Sequence, residues 1–191
     1  MGIFRIIMDA IKFRKMMKAS VDEWMVQWSE QQSAYRKMSC EEFAALPDEE
    51  LFSAAVSRTE VIMEQYEEVA EGFTAMNPHQ KVLYTVNYLE MEVNNGGLCQ
   101  FFVNSGRVLA PYISEYLEII GAEEHKQLFD GFITKCGIDL NDLSSFVITR
   151  AQDFEKQTMR YPFDEYDSKF YELPSLEESL TSYVRAHLDA F

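Results

Sequence analysis

The stretch "EVNNGGLCQFFVNSG" (residues 92–106) differs from the rest of the chain because two asparagines and two glycines lie between apolar runs. An Asn-Gly pair in that position is typical of a β-hairpin turn, and the preceding "VLYTVNYL" (residues 82–89) could form a strand. Helical spacing of the apolar residues on both sides instead predicts two helices meeting at a tight corner. In that corner Asn95 or Gly96 would adopt positive φ, and Gly97 would let the backbones approach. The local pattern favours the helical corner and leaves the hairpin open.

Composition indicates one well-packed helical domain. The chain has 191 residues, of which 47% are hydrophobic and 14% aromatic, so a substantial core is expected. Only 8 glycines and 5 prolines are present, which argues against a turn-rich β-sandwich or barrel. We therefore predict an all-α fold, a single compact multi-helix domain with an N-terminal helical extension.

Capping patterns place the helix boundaries. Ser20–Glu23, Ser39–Glu42, Asn77–Gln80 and Ser175–Glu178 have the spacing of capping boxes. The predicted helices cover residues 3–18, 21–37, 40–46, 48–72, 78–93, 97–105, 111–120, 122–135, 141–158 and 175–188. We divide the chain into a basic amphipathic helical extension at 1–40 and an acidic all-α domain at 41–191.

Charge is distributed unevenly between these two parts. Residues 1–37 carry seven Lys/Arg against four Asp/Glu, whereas residues 38–191 carry ten against twenty-eight. A domain with this excess of acidic residues repels nucleic acid, because nucleic-acid binding requires basic groups that displace phosphate counterions. Its expected partner is a basic protein surface. The alternative is that the acidity serves only solubility.

Two groups of carboxylates are the candidate partner-binding residues. The first is a stripe on the predicted helix 48–72, where like charges four residues apart repel and no lysine offsets them. Its members are Glu60, Glu64, Glu67, Glu68 and Glu71. The second lies among aromatic residues near the C-terminus and contains Asp164, Glu165, Asp167 and Glu172.

The basic, apolar N-terminus permits several placements. Arg5 interrupts the apolar run, which is unlike a signal peptide. A membrane-surface helix at residues 3–18 is possible, but docking on the domain or on a second copy is favoured. Cys40, Cys99 and Cys136 form no CxxC pair, so we expect reduced thiols in a cytoplasmic protein.

No recognisable catalytic motif accompanies the Asn-Gly-Gly stretch. His79, His125 and His187 lack metal-binding spacing, so no metal or cofactor is expected. Cys99 lies beside phenylalanines and resembles a small buried hydrophobe. The densest polar cluster contains a single titratable group, Glu92, together with Asn94, Asn95, Gln100 and Asn104. If these side chains converged on an open pocket, they would favour an enzyme or a small-ligand binder.

The stretch "VNNGGLCQFFVNSG" (93–106) resembles the signature of a bacterial domain-of-unknown-function family that includes the neisserial DNA mimic protein. Weaker resemblances follow in "EYLEIIGAEEH" (115–125), "DSKFYEL" (167–173) and "LTSYVRAH" (180–187), so that the similarity spans residues 48–191. The residues that match the family motif are Asn95, Gly96, Gly97, Gln100, Phe101, Phe102, Asn104 and Ser105. The resemblance implies an all-α fold and hence the helical corner, with a structural role for the motif.

The characterised member of that family is an acidic dimer whose carboxylates imitate DNA phosphates and cover the DNA-binding face of a transcription factor. By resemblance, this chain would be a non-enzymatic acidic binding module, and a homodimer is conceivable. Its partner would be a DNA-binding regulator or, if the protein confers immunity, a basic toxin. The basic extension departs from the family pattern and could neutralise part of the acidic face in cis.

Overall fold

The computed structural model describes the backbone of residues 2–191 and the side chains of residues 18, 20–150 and 152–191. Within this part of the chain the fold is all-α, with no β-strand, which confirms the predicted class. The helices are α1 Gly2–Lys37, α2 Cys40–Ala44, α3 Asp48–Met63, α4 Val69–Ala75, α5 Pro78–Val103, α6 Ala110–Ile119, α7 Glu123–Cys136, α8 Ala151–Thr158, α9 Phe163–Glu172 and α10 Glu177–Ala186. Short 3₁₀ turns occupy Ser105–Leu109, Ser144–Phe146 and Leu188–Ala190.

Two of the predicted capping boxes are formed. The Asn77 side chain accepts hydrogen bonds from the backbone N–H groups of His79 and Gln80 at 2.9 and 3.0 Å. In return, the Gln80 side-chain oxygen accepts a hydrogen bond from the Asn77 backbone N–H. Ser39 and Glu42 make the same reciprocal pair at the start of α2. These bonds satisfy N–H groups that have no partner inside the helix.

Several predicted boundaries are wrong, each for a local reason. The helices predicted at 3–18 and 21–37 form one helix, so the Ser20–Glu23 pattern does not start a new one. The helix predicted at 48–72 stops at Met63 and resumes at Val69. An unbroken helix would have stacked Glu64 on Glu68 and Glu67 on Glu71, which is unfavourable.

The C-terminal third also differs from expectation. Residues 141–150 do not form the predicted α-helix, because the Asp139 and Asp142 side chains accept the backbone N–H groups of Asn141 and Ser144 in tight turns. The helix α9 was not predicted at all. Its apolar residues Phe163, Tyr166 and Phe170 are buried and have helical spacing, so a signal was present.

Helix α5 lies at the centre of the packing. It contacts α3, α6, α8, α9 and α10, and half of its residues are buried. Around Phe102 the rings of Phe129, Phe132 and Phe146 lie between 4.7 and 6.4 Å away, centroid to centroid. This aromatic core fixes the second half of α5 against α7 and the Ser144–Phe146 turn.

The C-terminal end of α1 packs against the core of the protein. Tyr35 is only 3% exposed and belongs to the hydrophobic core, whereas Trp24 and Trp28 remain 61% and 50% exposed. The side chains of residues 3–17, which include most of the face considered for membrane contact, lie outside those described. Among the described residues, no helix has the length and apolarity needed to cross a membrane.

Candidate interaction site and the Asn-Gly-Gly corner

The Asn-Gly-Gly stretch is a kink inside α5 and not a hairpin. Gly96 has φ −163° and ψ 23°, and Gly97 has φ 77° and ψ 177°. The expectation of positive φ at Asn95 or Gly96 was therefore wrong, because the left-handed residue is Gly97. A Cβ at Gly97 would overlap the Asp167 carboxylate, which explains why glycine is needed there.

Two side chains of α9 satisfy the backbone groups that the kink leaves free. The Asp167 Oδ1 accepts a hydrogen bond from the Leu98 N–H at 2.8 Å, on one side of the kink. The Tyr171 hydroxyl donates to the Val93 carbonyl at 2.9 Å, on the other side. Burial is the main cause that raises the pKa of Asp167. Asp167 is thus engaged in holding the corner.

A buried carboxylate connects the two halves of α5. Glu92 is 7% exposed, and its Oε2 accepts hydrogen bonds from the side-chain amides of Gln100 and Asn104, both at 2.8 Å. Burial, and then the nearby Glu92 carboxylate, raise the pKa of Tyr88 to about 12. The Tyr88 ring packs so closely on Gly106 that a Cβ there would overlap it.

The five polar residues of the predicted cluster do not converge on an open pocket. Glu92, Gln100 and Asn104 bond to one another, whereas Asn94 and Asn95 are exposed on the surface. Asn94 lines a separate groove between α5 and α9. In the described part of the chain no three His, Cys, Asp or Glu side chains are placed to share a metal ion. Glu92, Gln100 and Asn104 thus form hydrogen bonds that join the two halves of α5.

The first group of candidate carboxylates is divided by the break after Met63. Glu60 and Glu64 are next to Arg36 of α1, which forms a two-point ion pair with Glu64 at 3.0 and 2.7 Å and lies 3.8 Å from Glu60. The remaining members are exposed, in the connection before α4 and in its first turn, and have no cationic partner among the described side chains. They are Glu67, Glu68 and Glu71.

The second group belongs to α9 and also has mixed roles. Glu165 binds Lys135 and Lys169, each at 2.8 Å. These hydrogen bonds, that of Lys135 first, lower the pKa of Glu165 to about 2. Asp164 and Glu172 are exposed, and no described lysine or arginine forms an ion pair with them.

One further polar cluster could not be found from sequence spacing. The rings of His79 and His187 stack at 4.1 Å, and the Tyr183 hydroxyl lies 2.7 Å from His79 Nδ1. They border a cavity of about 710 Å³ between α5, α6 and α10. Only the packing of α10 on α5 brings these residues together, across more than a hundred positions.

The fold and the corner define an all-α protein built on a kinked central helix, with an internal Glu–Gln–Asn network and an acidic surface. The model of the DMP19-like protein family matches residues 74–187, which is more than half of the chain and includes the corner. The chain therefore belongs to the DMP19-like protein family, the family of the neisserial DNA mimic protein, and the resemblance is confirmed over residues 74–187 of the expected span 48–191. No curated protein and no solved structure matches it.

Proposed function

We propose that this protein is a non-enzymatic binding module that captures a basic surface of a DNA-binding protein, in the manner of a DNA mimic. The observation that carries the proposal is the uneven neutralisation of its carboxylates. Arg36 forms ion pairs with Glu60 and Glu64. Glu67, Glu68 and Glu71 are exposed, and none of the side chains that the structure describes forms an ion pair with them. An uncompensated anionic group of this kind attracts a cationic partner.

Membership of the DMP19-like family supports the proposal, because the neisserial member acts by imitating DNA charge. The total charge supports it as well, since residues 38–191 carry an excess of eighteen acidic groups. The helix dipole of α4 favours Glu71 locally, but Glu67 precedes the helix and gains little from it. We add the exposed Asp164 and Glu172 of α9 as a second contact region and leave out Asp167, which holds the corner.

Affinity capture from an extract of the native cell tests the proposal. We expect a DNA-binding protein to be retained, to be released between about 50 and about 200 mM salt, and to be displaced from duplex DNA by this protein. The triple variant Glu67→Gln, Glu68→Gln, Glu71→Gln should weaken this binding strongly.

The control is a second triple variant with the same change in net charge, Glu30→Gln, Glu41→Gln, Glu155→Gln. These three glutamates are exposed and lie on α1, α2 and α8. They should have a much smaller effect. Equal effects of the two triple variants, or binding that ignores both salt and charge, would contradict the proposed surface.

A further inference from the structure

A cavity of about 250 Å³ lies between α3 and α5, beside the Arg36 ion pair. Its wall is apolar at Val56, Met63 and Leu83 and polar at Thr59, Glu60 and Tyr84. We propose that this cavity receives one lysine or arginine side chain of the basic partner. The inference rests on the proposed function and gives it a specific anchoring point.

The first observation is an unpaired hydroxyl. Thr59 is 1% exposed and lines the cavity, and its Oγ1 has no hydrogen-bond partner among the described residues. A buried polar group without a partner is costly, so such groups are normally satisfied. A lysine ammonium or an arginine guanidinium carries several donors and would satisfy it once the Thr59 side chain changes rotamer and exposes Oγ1 to the cavity.

The second observation is charge. Glu60 and Glu64 border the cavity, and burial is the main cause that raises the pKa of Glu60. A cation placed beside Glu60 would favour its ionised form and gain a charge-assisted hydrogen bond. Tyr84 and Tyr88 also line the cavity, and aromatic rings attract a nearby cation.

Arg36 shows which chemistry these carboxylates select. Its guanidinium already binds Glu64 in two-point geometry and donates through Nε to Ser57 at 3.2 Å. The side chain comes from the helix α1, which lies outside the matched family range. Arg36 therefore competes with the partner's cation for Glu60 and Glu64 at the rim of the cavity.

The family motif supports the opposite wall. Tyr88 lines the cavity, lies beside Glu92 and packs on Gly106. The buried network of the corner therefore positions an aromatic wall of the cavity. The volume is below the range of about 300–1,000 Å³ that is usual for small-molecule pockets, which suits a single side chain.

The test uses small probes and does not depend on a partner. The probes are N-acetyl-lysine methylamide and N-acetyl-arginine methylamide, with the uncharged N-acetyl-norleucine methylamide as the control. We expect the two cationic probes, but not the norleucine probe, to shift the amide NMR signals of residues around Thr59, Tyr84 and Met91. Equal shifts with the norleucine probe would overturn the proposal.

Variants locate the binding. Met91 is 52% exposed at the cavity, so Met91→Trp should block it, whereas Met159→Trp, at a residue 76% exposed on the end of α8, should not. Arg36→Ala should tighten probe binding by up to about fivefold, because it releases the carboxylates. Unchanged binding in Met91→Trp would overturn the assignment.

Whereas Met91→Trp tests the mouth of the cavity, the variant Thr59→Val tests its buried wall. It should weaken probe binding by about 3- to 10-fold and raise the stability of the unliganded protein, because it removes a buried unpaired hydroxyl. Weaker binding together with lower stability would indicate a general packing defect and would overturn the role of Thr59.

The outcomes for the two proposals can be told apart. If a DNA-binding partner is captured in a salt-sensitive way but Met91→Trp captures it equally well, the proposed function stands and the cavity proposal fails. If the cationic probes bind at the cavity but no basic protein is captured, the cavity binds cations and the proposed function fails.

Discussion

The Asp167 carboxylate and the Leu98 backbone N–H are joined by a 2.8 Å hydrogen bond across 69 positions of sequence. The bond connects α9 to the kink of α5, next to the point where Tyr171 binds the Val93 carbonyl. In a continuous helix the Leu98 N–H would bond to the carbonyl four residues earlier. Helix α9 thus supplies the hydrogen-bond partners that the kink removes.

Gly97→Ala should destabilise the protein by at least about 1–3 kcal/mol, because φ 77° and ψ 177° are strained for a residue with a Cβ and the added atom would overlap Asp167. Urea unfolding measures the effect. The matched control is Gly131→Ala in α7, where the added Cβ would lie 4.0 Å from an atom of the Tyr166 ring and where alanine is the better helix former. A similar loss in both variants would show that the corner has no special requirement.

Asp167→Ala should cost about 1–3 kcal/mol, because the Leu98 N–H loses its acceptor, and Tyr171→Phe should cost about 0.5–1.5 kcal/mol. Because both side chains hold one kink, the double variant should depart from additivity. Asp167→Asn keeps an acceptor oxygen and should be milder than Asp167→Ala. A strictly additive cycle would mean that the two bonds act independently.

Glu92→Ala should be strongly destabilising, at about 1–3 kcal/mol for each half-buried amide that loses its acceptor, namely those of Gln100 and Asn104. Glu92→Gln retains an acceptor oxygen and should cost about 1 kcal/mol or less. Unfolding curves of the two variants test whether the network needs an acceptor or a charge. A large loss in Glu92→Gln would show that the negative charge itself is required.

Acid should weaken the fold through two histidines. Burial lowers the pKa of His125, and burial followed by the neighbouring His187 lowers the pKa of His79, both from 6.5. The neutral rings are therefore favoured in the folded state, and their contribution is fully present above pH 6.5. It should be lost as the pH falls from 6.5 through the lowered values. NMR titration of the ring protons checks this, and a pKa at or above 6.5 for His125 would contradict it.

Sequence reasoning could predict the elements that depend on local chemistry. The capping box at Asn77 and Gln80 forms because its partners are three residues apart, and the apolar residues on both sides of the Asn-Gly-Gly stretch have helical spacing. It failed where competing local interactions decide the outcome, as in residues 141–150, where aspartate side chains capture backbone N–H groups. It also missed α9, although Phe163, Tyr166 and Phe170 carried the signal.

The sequence by itself determined the helical class, the acidic excess and the family motif, because periodicity, charge count and short-range spacing are properties of the chain alone. Only the tertiary structure decided which acidic groups are already engaged. Arg36 reaches Glu64 across 28 positions, and Lys135 reaches Glu165 across 30. Such ion pairs depend on how helices pack, which no local pattern specifies, and they determine which carboxylates a basic partner would meet.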